Sequence, residues 1–249
     1  MYINRDHDNF VKFIKNYWRY YRELEKEFMA TLKCVELDTD NFNTYSIQYL
    51  KLFQTVCSEI DIIGKAMAGE INKDFKLEIS KNNIVKWWYE IQNEFQITEI
   101  DSDIEGERIQ LNKYQCTLID DISVNAWDNF EIEIRKDRTN RDQFVLKSGA
   151  NTPKWWNEYN RLRDNRAIAV SSSDAKLSYN KANLGNVCNA FAALYVLEKA
   201  YMQAVGTEQD LQDFDDFSEI FKYSKKNTVV EKIDDTDKIL NELFSNGLI

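Results

Sequence analysis

A chain of 249 residues can bury a sizeable core, and seven glycines with one proline are too few for the many tight turns of a sandwich or barrel. Hydrophobic residues at 43% and aromatic residues at 13% exclude a disordered chain, although charged residues reach 30%, and a formal charge of −10 opposes non-specific attraction to phosphate backbones. The predicted class is mainly α: a helical bundle with a small β insertion around 97–134.

Asp6 and Asp8 precede an apolar series at helical spacing, Phe10, Phe13, Ile14, Tyr17, Trp18, Tyr21, Leu24 and Phe28, which predicts a long first helix running into Leu32. Its aromatic stripe reads as core rather than as a base-stacking surface, because stacking platforms lie on exposed basic faces. Glu36 to Asn43 is polar and reads as a loop. From Tyr45 the series Tyr49, Leu52, Phe53, Val56, Ile60 and Ile63 predicts a second long helix beside the first. Within it Glu59 and Asp61 point apart, so these two alone make no metal pair. Asp61 and Lys65 have ion-pair spacing, and Glu59 is kept as a candidate facing another helix. Ser80 is a predicted cap for a third helix carrying Ile84, Trp87, Trp88, Ile91 and Phe95.

The helical period breaks from Ile97 to Ile134. Ile97–Ile100, Arg108–Leu111, Tyr114–Ile119 and Phe130–Ile134 read as short strands, and Lys136 to Asn140 as an exposed loop. Thr152 and Pro153 then open a helix with Trp155 and Trp156, as N-cap and first helical residue. Asp174 to Asn183 is a polar connection. Leu184 to Ala204 predicts the central core helix, closed by Gly206 in a left-handed conformation. Residues 1–206 thus form a single helical domain that includes the β-rich insertion 97–134. Residues 207–249 form an acidic C-terminal segment, expected to dock on the domain, with a short helix from Thr236 or Asp237. Asp215 and Asp216 are its candidate contact residues.

Familiar active sites lack their parts. There is no glycine-rich phosphate loop, and His7 is the only histidine, which removes Ser-His-Asp catalysis and histidine-rich zinc sites. Cys34, Cys57, Cys116 and Cys188 are scattered and read as reduced thiols of a cytoplasmic protein, consistent with no glycosylation sequon and no apolar signal segment. The longest uncharged run, Ala182 to Leu197, is too short for a bilayer and contains several asparagines. No metal site, cofactor or membrane partner is expected.

The densest polar cluster follows the second tryptophan pair. Trp155, Tyr159 and Leu162 share one helical face, while Asn160, Arg163 and Asp164 fall together on the next. Trp155-Trp156, Tyr159-Asn160, Arg163 and Arg166 resemble the helix-borne motif of the HEPN superfamily, helical domains found in prokaryotic toxins and abortive-infection proteins. The match covers about a dozen residues, with Asp164 standing where that motif has histidine. The resemblance implies metal-independent RNA cleavage, usually across a homodimer, when arginine and histidine are both present. Without the histidine, arginine is a poor proton carrier because it stays protonated. The expected function is therefore a non-enzymatic interaction protein, HEPN-like in form, of prokaryotic defence, counter-defence or mobile-element type. A protein partner is expected to engage Glu59, Tyr159, Asn160, Arg163, Arg166, Asp215 or Asp216. The alternative is an endoribonuclease using Asn160, Arg163, Asp164 and Arg166 on an RNA substrate.

Overall fold

A computed structural model describes residues 5–75, 84–92, 114–118, 122–165 and 179–225, and within them the protein is mainly helical with two small sheets. The first long helix begins as α1 (His7–Phe13), capped by the Asp6 side chain on the Asn9 amide. It passes through one π turn (Ile14–Trp18) into α2 (Arg19–Thr31). The π turn has a sequence cause. Phe13 and the next deeply buried residue, Trp18, are five apart, and the wider turn brings both onto the face that also buries Tyr21, Leu24 and Phe28.

Ser46 caps α3 (Ile47–Ile71), one residue after the predicted start. α4 (Ile84–Gln92) packs on α3 at Gly64, where a Cβ would stand 2.6 Å from the Trp87 ring. Gly64→Ala is expected to destabilise the fold by about 1–3 kcal/mol from overpacking, offset by roughly 1 kcal/mol of helix propensity. Urea titration measures the balance, and a more stable variant would mean that Trp87 moves aside freely.

α6 (Leu184–Val205) runs through the centre, buried on nearly every side against α1, α3 and α5 (Lys154–Asn165). The sequence-based place for it as core helix holds. Its end differs from expectation, because Gly206 has φ −75° and needs no left-handed backbone. What requires glycine is space: a Cβ there would lie 3.0 Å from Phe10 and 3.1 Å from Leu211.

The β region is longer than expected and borrows from the tail. β1 (Tyr114–Leu118) pairs with β2 (Ser123–Val124), and β3 (Ile132–Lys136) with β4 (Asp142–Leu146), both antiparallel. β4 lies beyond the predicted limit at 134, and residues 137–141 form the hairpin turn, with Asn140 at φ 61°. β5 (Phe221–Lys225) comes from the acidic segment and pairs antiparallel with β1, giving the order β2-β1-β5. The predicted strands at 97–100 and 108–111, the Ser80 cap and the helix near 237 lie outside the described residues.

Aromatic side chains join the helices to the sheets. Trp127 stacks on Trp88 at 4.3 Å and meets Trp155 edge-on at 5.4 Å, so the two Lys-Trp-Trp segments share one cluster. Their indole N–H groups find carbonyls: Trp88 donates to Phe130, Trp127 to Ala193 and Trp155 to Ala126. Gln92 binds both the N–H and the C=O of Ile132, which fixes α4 against β3.

The tail segment seats on Glu25, a carboxylate only 1% exposed. It accepts from the Tyr21 hydroxyl at 3.0 Å, from the Ser218 hydroxyl, and from the amides of Glu219 and Ile220 at 3.3 Å. Arg22 pairs with Glu25 and reaches Asp216 at 3.0 Å and Glu219 at 2.8 Å. α7 (Glu208–Gln212), capped reciprocally by Thr207 and Asp210, leads into this contact.

Candidate functional site

α5 presents two different surfaces. The Pro153 carbonyl accepts from Trp156 and Asn157, so the first helical residue is Lys154, one later than the sequence reading placed it. Trp155, Trp156 and Leu162 are buried, as their spacing implies. On the outer side Tyr159 is half-buried, edge-on to Phe53, with the Arg163 guanidinium 5.7 Å from its ring centre. Arg163 Nε lies 3.2 Å from Asp164 Oδ1, and both side chains are more than half exposed. Burial pushes the Tyr159 phenol up from its ordinary pKa, and Arg163 offsets only part of that. Asn160 is half-buried beside them. Tyr159, Arg163 and Asp164 are thus brought together, while Arg166 lies outside the described residues.

The remaining candidates are dispersed. Glu59 is buried and faces the interior, where its charge acts on Glu198 of α6. Burial raises the carboxyl pKa of both. Asp61 pairs with Lys65 and accepts the Trp87 indole N–H at 3.1 Å. Asp216 is tied within the chain to Trp18 Nε1 at 2.9 Å and to Arg22, whereas Asp215 is exposed. His7 reaches Asp210 at 2.6 Å, which raises its pKa. All four cysteines are free thiols; burial pushes Cys188 up to about 12, far from the thiolate form. Among the described residues no group of three His, Cys, Asp or Glu side chains could hold a metal, and no helix is long and apolar enough to cross a membrane.

The inner side of α5 opens on a feature the sequence reading missed. A cleft of about 830 Å³ lies between the start of α5, the start of α6, the loop before α3 and the turn after β2. Its volume falls within the roughly 300–1,000 Å³ of typical ligand sites. Eight of its nineteen described lining residues are asparagines, neutral groups that both donate and accept. One wall carries Asn183, Asn186 and Asn189 from α6, and the other Asn125, Asn129 and Asn151.

Local structure orients the α6 wall. Asn183 caps the helix by accepting from the Asn186 amide at 2.9 Å, which leaves its NH2 group as the donor. Asn186 donates to the Lys181 carbonyl at 2.9 Å and Asn189 to the Gly185 carbonyl at 2.8 Å, so each has its Oδ1 left as an acceptor. The loop before α3 closes against this wall. The Leu184 and Gly185 amides donate to Thr44 and Phe42, and a Cβ at Gly185 would stand 3.1 Å from Phe42. Glu158 lines the cleft with its side chain 8% exposed. Its Oε1 meets Arg161, while its Oε2 makes no hydrogen bond and has Lys181 Nζ at 3.4 Å.

A sequence signal for this cleft exists. Asn180, Asn183, Asn186 and Asn189 recur every third residue through the turn, the cap and the first turns of α6, a spacing that makes each a near neighbour of the next. The chain matches no family model, no curated protein and no solved structure.

Proposed function

We propose that the protein is a non-enzymatic helical interaction protein, similar in form to HEPN domains and belonging to prokaryotic defence, counter-defence or mobile-element biology. The observation that carries this reading is the pairing of Arg163 with Asp164 in exposed positions beside a phenol kept protonated. Metal-independent phosphodiester cleavage needs a group that exchanges its proton near neutral pH and a cation open to the phosphate. Tyr159 does not suit the first role, because burial raises its phenol further from neutrality, and Arg163, though exposed, already has Asp164 at its Nε. Purified protein is expected to leave RNA intact in metal-free buffer; cleavage that disappears in Arg163→Ala would sink the reading.

A protein is the partner best matched to the tail surface. Phe217 is 60% exposed next to exposed Asp215, an apolar anchor with an acidic flank on a segment fixed to the domain. The test is recovery of partner proteins from nuclease-treated host lysate with the full chain and with Phe217→Ala. A nuclease-resistant partner recovered at least tenfold less by Phe217→Ala supports the reading. Equal recovery by both would move the contact elsewhere. Removing everything after Gly206 is a poorer test, because it also removes β5 and the contacts to Glu25.

A further inference from the structure

We propose that the asparagine-lined cleft is a binding site for a neutral oligosaccharide, separate from the tail surface that would meet a protein. Three features of the lining select this chemistry. The first is electrical: Lys154 and Lys181 are matched by Asp128 and Glu158, so the lining carries no net charge among the described residues. The second is the state of the α6 start, which would otherwise attract anions. Its first amides are already engaged by Thr44, Phe42 and the Asn183 side chain, so the start of α6 offers no cradle of N–H groups to a phosphate or carboxylate.

The third is the kind of hydrogen bonding on offer. A sugar hydroxyl donates one hydrogen bond and accepts others, and a carboxamide offers both partners from a single side chain. On the α6 wall these are fixed in direction: a donor at Asn183, then acceptors at Asn186 and Asn189. Oε2 of Glu158, buried at the cleft wall with Lys181 Nζ at 3.4 Å but no hydrogen bond, is a further acceptor for a hydroxyl. Among the described residues no leucine, isoleucine, valine or methionine lines the cleft, and its apolar part is mainly the rings of Phe42, Tyr45, Pro153 and Trp155. Tyr45, 58% exposed at the rim, supplies one aromatic face. That electron-rich face suits the weakly positive C–H side of a pyranose ring.

The test is to apply the full-length protein to an array of neutral and acidic oligosaccharides and short peptides. The tightest binder is then titrated by calorimetry against wild type, Asn189→Ala and Tyr45→Ala. Binding to one or more neutral oligosaccharides is expected, weakened about five- to tenfold by either substitution, as loss of one hydrogen bond or one ring contact implies. Tyr45 is exposed, so its variant keeps the fold even where Asn189→Ala loosens α6. Failure to bind any neutral saccharide, a preference for acidic saccharides or for peptides, or affinity unchanged in both variants would overturn the proposal. None of these outcomes depends on whether the tail binds a protein.

Discussion

Replacing Glu25 by alanine is expected to cost about 3–5 kcal/mol, the range for removing one member of a buried charged cluster. The carboxylate holds the Arg22 guanidinium, the Tyr21 and Ser218 hydroxyls and two tail amides together. With the carboxylate gone, Arg22 keeps Asp216 and Glu219, but the Glu219 amide loses its acceptor and the Ile220 amide is left with the Ser218 hydroxyl at 3.3 Å, in a region where Ile220 is 1% exposed. The tail should then detach from α2. Urea titration measures the cost, and hydrogen exchange at residues 218–225 locates it. Glu25→Gln, which keeps an acceptor oxygen without the charge, is expected to recover part of the loss. A Glu25→Ala variant that loses less than about 1 kcal/mol would show that β5 pairing and the Phe214 and Phe221 contacts hold the tail unaided.

The opposite sign is expected at Glu198. It lies fully buried on α6, and neither carboxylate oxygen has a hydrogen-bond partner. Glu59 of α3 and the phenols of Tyr17 and Tyr201 are the titratable groups coupled to it. Burial, reinforced by the charge of Glu59, raises its pKa well above the carboxylate range. The folded state therefore binds this proton more tightly than the unfolded chain. Its contribution is fully present below the unfolded carboxylate value of about 4.3 and is lost as pH rises through the folded pKa. Glu198→Met keeps an unbranched chain and removes the unsatisfied group, so it is expected to stabilise the protein by about 1–3 kcal/mol at neutral pH. The gain should shrink toward pH 4.5, where the unfolded chain also takes up this proton and the cost of keeping the folded carboxyl protonated disappears. Thermal melts of both proteins across that range test this. An equal difference at all pH values would mean that Glu198 does not titrate on unfolding.

The helices were legible because burial and periodicity coincide in them. α6 is apolar nearly all round and lies at the centre, and the stripe from Phe10 to Phe28 faces inward as its spacing required. β4 was missed because Asp142-Gln143-Phe144-Val145-Leu146 leaves its first residues exposed and shows no alternation over the strand. β5 was missed because strand pairing is a long-range property: Phe221–Lys225 is strand through its register on β1, more than a hundred residues away. The tail's acidity was visible, but not that Asp216 serves Trp18 and Arg22 inside the protein. The candidate cluster on α5 was legible as a helix face, since spacing alone puts Arg163 near Tyr159 and Asp164. The cleft was not, because it is assembled from four separated segments, although the three-residue asparagine spacing marked one wall of it.

The pairing of β5 with β1 also bears on how a nascent chain reaches this structure. Glu25 and Trp18 leave the ribosome early, yet their partners at Asp216, Ser218 and Ile220 follow almost two hundred residues later. At translation rates of about 5–20 residues per second, that interval is roughly ten to forty seconds. Until then the carboxylate has no tail amides, and one edge of β1 has no neighbour from the time that strand is made. The aromatic face of the first helix and that strand edge are then surfaces a chaperone would shield, and completion of the sheet waits for residue 225.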